Sequence, residues 1–172
     1  MSSLPLGLNT LNLYKPQPKF VQTTIQVNGQ PFNFVHIAND DTIYGTLSCL
    51  QNDKFHFKDV RFEDGDVFVD IGSNVGLVGL IVAKLSPNIR VYAFDASDIA
   101  IQASRMTAAM NGLTNYQSFN VAVGAEVKKG VKFFSDGKNK SCLVGEGFNS
   151  SNPVPELTVN QIAIDEIFDS QL

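Results

Sequence analysis

The sequence predicts an α/β fold built on a parallel sheet of the doubly wound type, preceded by a β-hairpin and a helix. Three observations support this class. Short apolar runs alternate with helical patterns over residues 67–124, a glycine-containing loop follows the first run, and an Asn-Gly pair interrupts an alternating segment near the N-terminus. Strand–helix–strand–helix–strand order with right-handed crossovers places the three strands parallel in one sheet.

The first elements are predicted from residues 20–51. Apolar and polar residues alternate over residues 20–37 around Asn28-Gly29, which is a strong signal for a hairpin with a two-residue turn. A helix is expected next, because Asp40 or Asp41 can cap it and apolar residues follow at helical spacing.

The central unit begins with VFVDI at residues 67–71, a continuous apolar run typical of a strand buried on both faces. LVGLIVAKL, residues 77–85, is apolar on nearly every side, so this helix must be covered by other elements. RVYAFD at residues 90–95 and YQSFNVAVG at residues 116–124 are the second and third strands.

The second helix of this unit is predicted to begin after Ser97 and to stop at Asn111-Gly112. Its predicted apolar stripe consists of Ile99, Ala103, Met106 and Met110. Further on, VKFF and CLV are predicted to be short strands around Asp136-Gly137, and ELTVNQIAI is predicted to be another strand.

The loop after the first strand reads DIGSNVG, from Asp70 to Gly76. Ligands of open α/β sheets bind beyond the carboxyl ends of the strands. Gly72 and Gly76 let the chain turn sharply, which can bring backbone N–H groups close to a ligand. Asp95 ends the second strand, where its carboxylate can accept hydrogen bonds from two ribose hydroxyls. A nucleoside site is therefore predicted here.

The identity of the nucleoside follows from two departures from the dinucleotide fingerprint G-x-G-x-x-G. Asn74 stands in place of the second glycine, and the carboxylate of Asp70 would repel a pyrophosphate. An acid at this place suits S-adenosylmethionine, which carries an ammonium, a sulfonium and a ribose. A non-catalytic nucleoside-binding module and, less favoured, an NAD-dependent oxidoreductase are the alternatives.

The stretch VFVDIGSNVGLVGLIVAKLSPNIRVYAFDAS resembles the nucleotide-binding part of S-adenosylmethionine-dependent methyltransferases, and more narrowly the FkbM-type family. That family's D-[IV]-G-[AS]-N-x-G loop is similar to residues 70–76, and its AFEP-type strand ending to AFDA. Asp95 stands where the family mostly has glutamate, and Ala96 where proline is usual. The VAVG after the third strand is also similar, and the preceding hairpin and ELTVNQIAIDEI extend the likeness over roughly residues 20–168.

The resemblance implies a Rossmann-like methyltransferase fold, S-adenosylmethionine as cofactor, and methyl transfer to a hydroxyl of a small molecule or sugar. The family continues into further strands that build the acceptor pocket, and this sequence shows none of them after the third strand. The sheet is therefore expected to be incomplete, with one edge of the first strand open. A longer protein, a late segment such as ELTVNQIAI, or self-association would complete it.

The resemblance also implies the cofactor-binding residues. Asp70, Gly72 and Gly76 would surround the methionine part, Asn74 would hold the loop, and Asp95 would bind the ribose. The complete set includes two residues near the adenine at the end of the third strand, and reads Asp70, Gly72, Ser73, Asn74, Gly76, Asp95, Ala96, Val121 and Ala122.

No catalytic residue and no metal ligand is predicted. The only histidines, His36 and His56, are expected to be structural or exposed, and Glu63, Asp64 and Asp66 are expected to form a solvated turn.

Length and composition bound the organisation. The 172 residues correspond to one domain, divided here into an irregular arm (1–19), a lead-in of hairpin and helix (20–66) and a truncated cofactor-binding domain (67–172). A net charge of -4 argues against a nucleic-acid partner. The sequence contains no apolar run of about 18 residues, which argues against a membrane span. Two cysteines are too few for a disulfide framework, so a cytoplasmic location is expected.

Overall fold

The computed structural model describes residues 19–135, 141–143 and 156–169. Most of the predicted arm and the predicted Asp136-Gly137 turn lie outside these residues. In chain order the elements are β1 (Phe20–Val27), β2 (Gln30–Ile37), α1 (Thr42–Gln51), a 3₁₀ turn (Phe57–Asp59), β3 (Val67–Ile71), α2 (Leu77–Leu85), β4 (Arg90–Asp95), α3 (Asp98–Met110), β5 (Tyr116–Asn120), β6 (Ala122–Gly124), β7 (Lys128–Ser135), β8 (Ser141–Leu143), β9 (Glu156–Ala163) and α4 (Ile164–Asp169).

The central sheet has the strand order β3-β4-β5, and both pairings are parallel. Helices α2 and α3 connect its strands, so the α/β, Rossmann-like class predicted from the sequence is confirmed. Strands β1 and β2 form an antiparallel hairpin. A third sheet has the order β6-β9-β7-β8, in which β9 runs parallel to β6 and antiparallel to β7.

The hairpin turns at Asn28 and Gly29, whose φ angles of 48° and 72° both lie in the left-handed region. A two-residue turn with positive φ at both positions matches the twist of the flanking strands. The free edge of β2 then lies along α3, where the Val35 N–H donates to Thr107 Oγ1 at 2.9 Å. The side-chain amide of Asn111 both accepts from the Asn33 N–H and donates to the Asn33 carbonyl.

The main core lies between the central sheet, α2, α3 and the hairpin, and includes Phe32, Phe34, Leu80 and Ala103. Helix α2 is covered as its composition requires, since five of its nine residues are buried. Helix α3 begins at the predicted cap, where Ser97 Oγ accepts from the Ala100 N–H at 3.3 Å.

The predicted stripe of α3 is wrong in its second half. Met106 and Met110 are 43% and 44% exposed, whereas Ile101, Ser104 and Thr107 are buried. The hairpin and β5 approach the helix from that other side, and two of the polar residues facing them form hydrogen bonds there. A stripe chosen by hydrophobicity alone therefore missed the face that packs.

The third predicted strand, residues 116–124, is divided at Val121 into β5 and β6, which belong to different sheets. Strand β3 is covered on both faces only in its middle, where Phe68 packs against the main core and Val69 against the cluster of Tyr92 and Phe94. Val67 and Ile71 at its ends are 44% and 48% exposed. Strand β3 pairs with β4 and with no other strand among the described residues.

The late segment ELTVNQIAI does form a strand, β9, but it does not cap β3. It pairs with β6 and β7 instead. Together with α4 it brings Ile162 and Ile167 against Tyr92 and Phe94, on the face of the central sheet opposite α2 and α3. Within the described residues, no helix has the length and apolar character needed to cross a membrane.

Candidate functional site

A cavity of about 540 Å³ lies beyond the carboxyl ends of β3, β4 and β5. This volume is within the range of small-molecule sites. Eight of the nine predicted residues line it, namely Asp70, Gly72, Ser73, Asn74, Asp95, Ala96, Val121 and Ala122. The parallel strand order explains their convergence, since the ends of β3, β4 and β5 meet at one edge of the sheet.

The ninth residue, Gly76, is not among the lining residues and lies behind the loop. A Cβ atom there would overlap the Tyr116 hydroxyl and approach Ser104 Cβ to 2.9 Å. A Cβ atom on Gly72 would meet nothing within 4 Å. The two glycines therefore differ: Gly72 borders the cavity, whereas Gly76 lets the loop pack against α3 and β5.

The loop is tied to the protein through its own amides. The N–H groups of Gly72 and Ser73 both donate to the Phe94 carbonyl, at 2.9 and 3.1 Å, and the Gly76 N–H donates to the Ser73 carbonyl. The Asn74 N–H donates to Asp95 Oδ2 at 2.8 Å. At these four positions each N–H therefore has an acceptor inside the protein.

Two carboxylates line the cavity. Asp95 Oδ1 accepts from the Ser97 N–H at 2.8 Å, while its Oδ2 holds Asn74. Asp70 Oδ2 accepts from the Gly79 N–H at 3.1 Å, in the first turn of α2. Each carboxylate oxygen can accept more than one hydrogen bond, so both keep capacity for a ligand.

Burial raises the pKa of both carboxyl groups above the ordinary aspartate value. Backbone N–H donors offset part of this rise, and the charge of Asp95 raises the pKa of Asp70 further. Partly desolvated carboxylates gain most from a ligand that brings positive charge or hydroxyl donors.

Ser73 also lines the cavity, and its hydroxyl is buried without a hydrogen-bond partner among the described residues. A buried hydroxyl without a partner is costly. This oxygen is not accessible from the cavity, so the cost lies within the loop itself.

Sequence reasoning missed the cavity walls that come from distant elements. They are Thr42, Ile43 and Thr46 of α1, Phe55, and Phe133 of β7. No local signal marks these residues, because their position depends on how α1 packs against α2 and on how β7 pairs with β9.

The histidines lie elsewhere. His36 is buried in the hairpin, where Nε2 contacts Thr23 Oγ1 at 3.0 Å and Nδ1 contacts the Ile37 carbonyl. His56 is exposed beside Asp59. Neither lines the cavity. In the part of the chain that the structure describes, no group of three or more potential ligands is placed to hold a metal ion.

Comparison with known proteins gives a family match. The family model described as "Methyltransferase small domain" matches residues 46–133, just over half of the chain. The match covers the loop and both carboxylates of the cavity.

Two curated proteins are similar over shorter stretches. A probable protein arginine N-methyltransferase 6 of Arabidopsis thaliana is 44% identical over 52 residues, covering 30% of this chain and 12% of that protein. The ribosomal RNA small subunit methyltransferase C of Aeromonas hydrophila subsp. hydrophila is 38% identical over 45 residues, covering 26% and 13%. The chain thus spans about an eighth of the length of these relatives.

Among solved structures, coclaurine N-methyltransferase bound to N-methylheliamine and SAH aligns with a TM-score of 0.37 and 22% identity, covering 42% of this chain and 23% of that one. Trm5b from Pyrococcus abyssi aligns with a TM-score of 0.40 and 19% identity, covering 61% and 31%.

Proposed function

Since the chain belongs to the methyltransferase small domain family, we propose that its cavity binds S-adenosylmethionine and that the chain serves methyl transfer. One observation carries the proposal above all. Four N–H groups of the loop donate to acceptors inside the protein, while Asp70 and Asp95 present carboxylates to the cavity. A pyrophosphate would need the amides and would be repelled by the acids. A cationic nucleoside suits both features.

The residues fit this cofactor group by group. Asp70 lies where an ammonium or sulfonium would offset its burial, next to Gly72, whose missing side chain leaves the cavity open. Asp95 has lone pairs left for ribose hydroxyls. Val121 and Ala122, one strand further along, would lie near the adenine.

The methyl group on the bound sulfonium is already activated, so the cofactor supplies the electrophile. The protein must then align the acceptor with that carbon and exclude water. Asp70 would hold the charged part and Asp95 the ribose. The hydrogen bond from the Asn74 N–H to the Asp95 carboxylate fixes the loop relative to Asp95. The cavity residues of α1 and Phe55 would then lie near the methionine part of the cofactor, where the acceptor would approach.

The proposal also covers the acceptor, the cellular compartment and the roles of the nine predicted residues. The loop and strand endings that resemble the FkbM-type family support a hydroxyl of a small molecule or sugar as the acceptor. The net charge of -4 favours such an acceptor over a nucleic acid, and the free thiol of Cys49 suits a reducing, cytoplasmic compartment. The nine predicted residues supply cofactor binding, and general-base chemistry is assigned to none of them.

Calorimetric titration with S-adenosylhomocysteine and NAD, in parallel, tests the proposal. We expect S-adenosylhomocysteine to bind and NAD not to bind. Asp95→Ala should weaken S-adenosylhomocysteine at least about tenfold, because charge-assisted hydrogen bonds are worth roughly 1.5–3 kcal/mol each. Binding of NAD in place of S-adenosylhomocysteine would favour the oxidoreductase alternative, and binding of neither would refute a nucleoside site.

A further inference from the structure

We propose that Phe133 is the aromatic platform on which the adenine of the cofactor stacks. This inference rests on the proposed function and extends it to a residue outside the Rossmann-like unit. Phe133 belongs to β7, lines the cavity and is half-buried. It packs against a small apolar cluster formed by Ala96, Ala122 and Val159.

The strand order fixes where the adenine must lie. Neighbouring strands are about 4.8 Å apart, so a ligand held at Asp95 by its ribose reaches the end of β5 with its base. There the Asn120 side-chain amide donates to the Asp95 and Ala96 carbonyls, at 3.1 and 2.9 Å, and fixes the end of β5 against that of β4. Val121 and Ala122 follow directly.

The third sheet brings Phe133 to this same place. Strand β9 pairs with β6 through Gln161 and Ala122, and with β7 through Leu157 and Phe133. Strand β7 therefore lies one strand beyond β9 from β6, and its Phe133 side chain joins the cluster of Ala96, Ala122 and Val159. The Gln161 side-chain amide donates to the Glu126 carbonyl at 2.7 Å and ties the β6–β7 connection to β9.

The side chains at this part of the cavity suit an adenine ring. Ala96 and Ala122 contribute only methyl groups to one wall, so they leave room for a flat ring, and Phe133 supplies an aromatic ring that borders the same space. Base–aromatic stacking needs no hydrogen-bond partner, and removing such a ring weakens binding by roughly five- to a hundredfold per base.

The chain contains no tryptophan, so Phe133→Trp introduces a single fluorescent reporter at the proposed platform. Phe55→Trp is the matched control, because Phe55 also lines the cavity but packs against Phe57 and not in the cluster of Ala96 and Ala122. We expect adenosine, which lacks the methionine part, to quench the F133W variant and to leave the F55W variant unchanged. In calorimetry, Phe133→Leu should weaken S-adenosylhomocysteine about tenfold while thermal unfolding remains cooperative.

The outcomes separate the two proposals. If the unmodified chain binds S-adenosylhomocysteine, and F133L binds it equally well, the platform is refuted and the proposed function stands. If F133L does not fold, the F133W variant decides, and a fluorescence that adenosine leaves unchanged refutes the platform. If the unmodified chain does not bind S-adenosylhomocysteine at all, both proposals fail.

Discussion

At the scale of single residues, the two glycines of the loop are required for different reasons, one for the cavity and one for packing. Gly72 and Gly76 have φ angles of 71° and 78°, where an alanine costs roughly 1–2 kcal/mol of strain. Only Gly76 also lacks room for a Cβ atom. We therefore expect Gly76→Ala to destabilise the fold by about 2–4 kcal/mol, because steric overlap adds to strain.

Gly72→Ala is the matched variant. It should cost about 1 kcal/mol in stability but should weaken S-adenosylhomocysteine strongly, since its methyl group would stand at the edge of the cavity. Denaturant unfolding and calorimetry on both variants measure the two effects separately. Equal stability losses in the two variants would contradict the assignment of Gly76 to packing.

Asp70 is the residue whose burial should be visible in the pH dependence of stability. Burial raises its pKa above the ordinary value of 3.8, so the folded state binds this proton more tightly than the unfolded state. Its contribution to stability is then greatest below pH 3.8 and is lost as the pH rises through the raised pKa. Replacing Asp70 with a neutral residue should remove this decrease in stability with rising pH.

We accordingly expect Asp70→Asn to be more stable than the unmodified chain at neutral pH, with the difference shrinking as the pH falls toward 3.8. Asparagine keeps an oxygen that can accept from the Gly79 N–H. Denaturant unfolding across that pH range measures the difference. A difference that is constant with pH would show that burial of the charge is not what distinguishes the two chains.

At the scale of elements, buried polar groups add to apolar packing in holding the hairpin to α3, whereas the methionines of the predicted stripe are exposed. The Val35 N–H is an edge donor of β2, and Thr107 Oγ1 is its acceptor in a buried contact. Thr107→Val conserves shape and leaves that N–H without a partner. We expect a loss of about 1–3 kcal/mol in the free energy of unfolding.

Met110→Ala on the same helix is the control, because Met110 is 44% exposed. This substitution should change the free energy of unfolding by no more than about 0.5 kcal/mol. Thermal or denaturant unfolding distinguishes the two variants. A larger loss of stability in Met110→Ala than in Thr107→Val would show that the stripe predicted from hydrophobicity is the face that packs.

At this scale the sequence could predict only features whose signals lie within a few neighbouring residues. The Asn28-Gly29 turn, the Ser97 cap and the DIGSNVG loop carry their signals within a few residues, and the structure has the corresponding hairpin, helix start and cavity edge. The break at Val121 was not predictable in this way, because it depends on β6 pairing with a strand some forty residues later. The positions of Phe55 and Phe133 around the cavity follow from equally distant contacts.

At the scale of the whole molecule, β3 has an unusual environment for the first strand of a doubly wound unit. A continuous apolar strand is normally paired on both edges. Here β3 pairs with β4 alone among the described residues, and Val67 and Ile71 are about half exposed. An exposed apolar edge presents unpaired backbone groups that can bind a strand of another chain.

The 172-residue chain should therefore self-associate through β3 as its concentration rises, and Val67→Lys should suppress this, because a lysine on an edge strand opposes edge-to-edge pairing. Val67 lies on the edge strand at the end away from the cavity, so the substitution leaves Asp70 and Gly72 in place. Val127→Lys is the control, since Val127 is 54% exposed but lies between β6 and β7 rather than in β3. Sedimentation velocity over a concentration series measures the mass of all three proteins. Association that V67K and V127K reduce equally would point to general charge repulsion, and a chain that remains monomeric throughout would show that the β3 edge does not recruit a second copy.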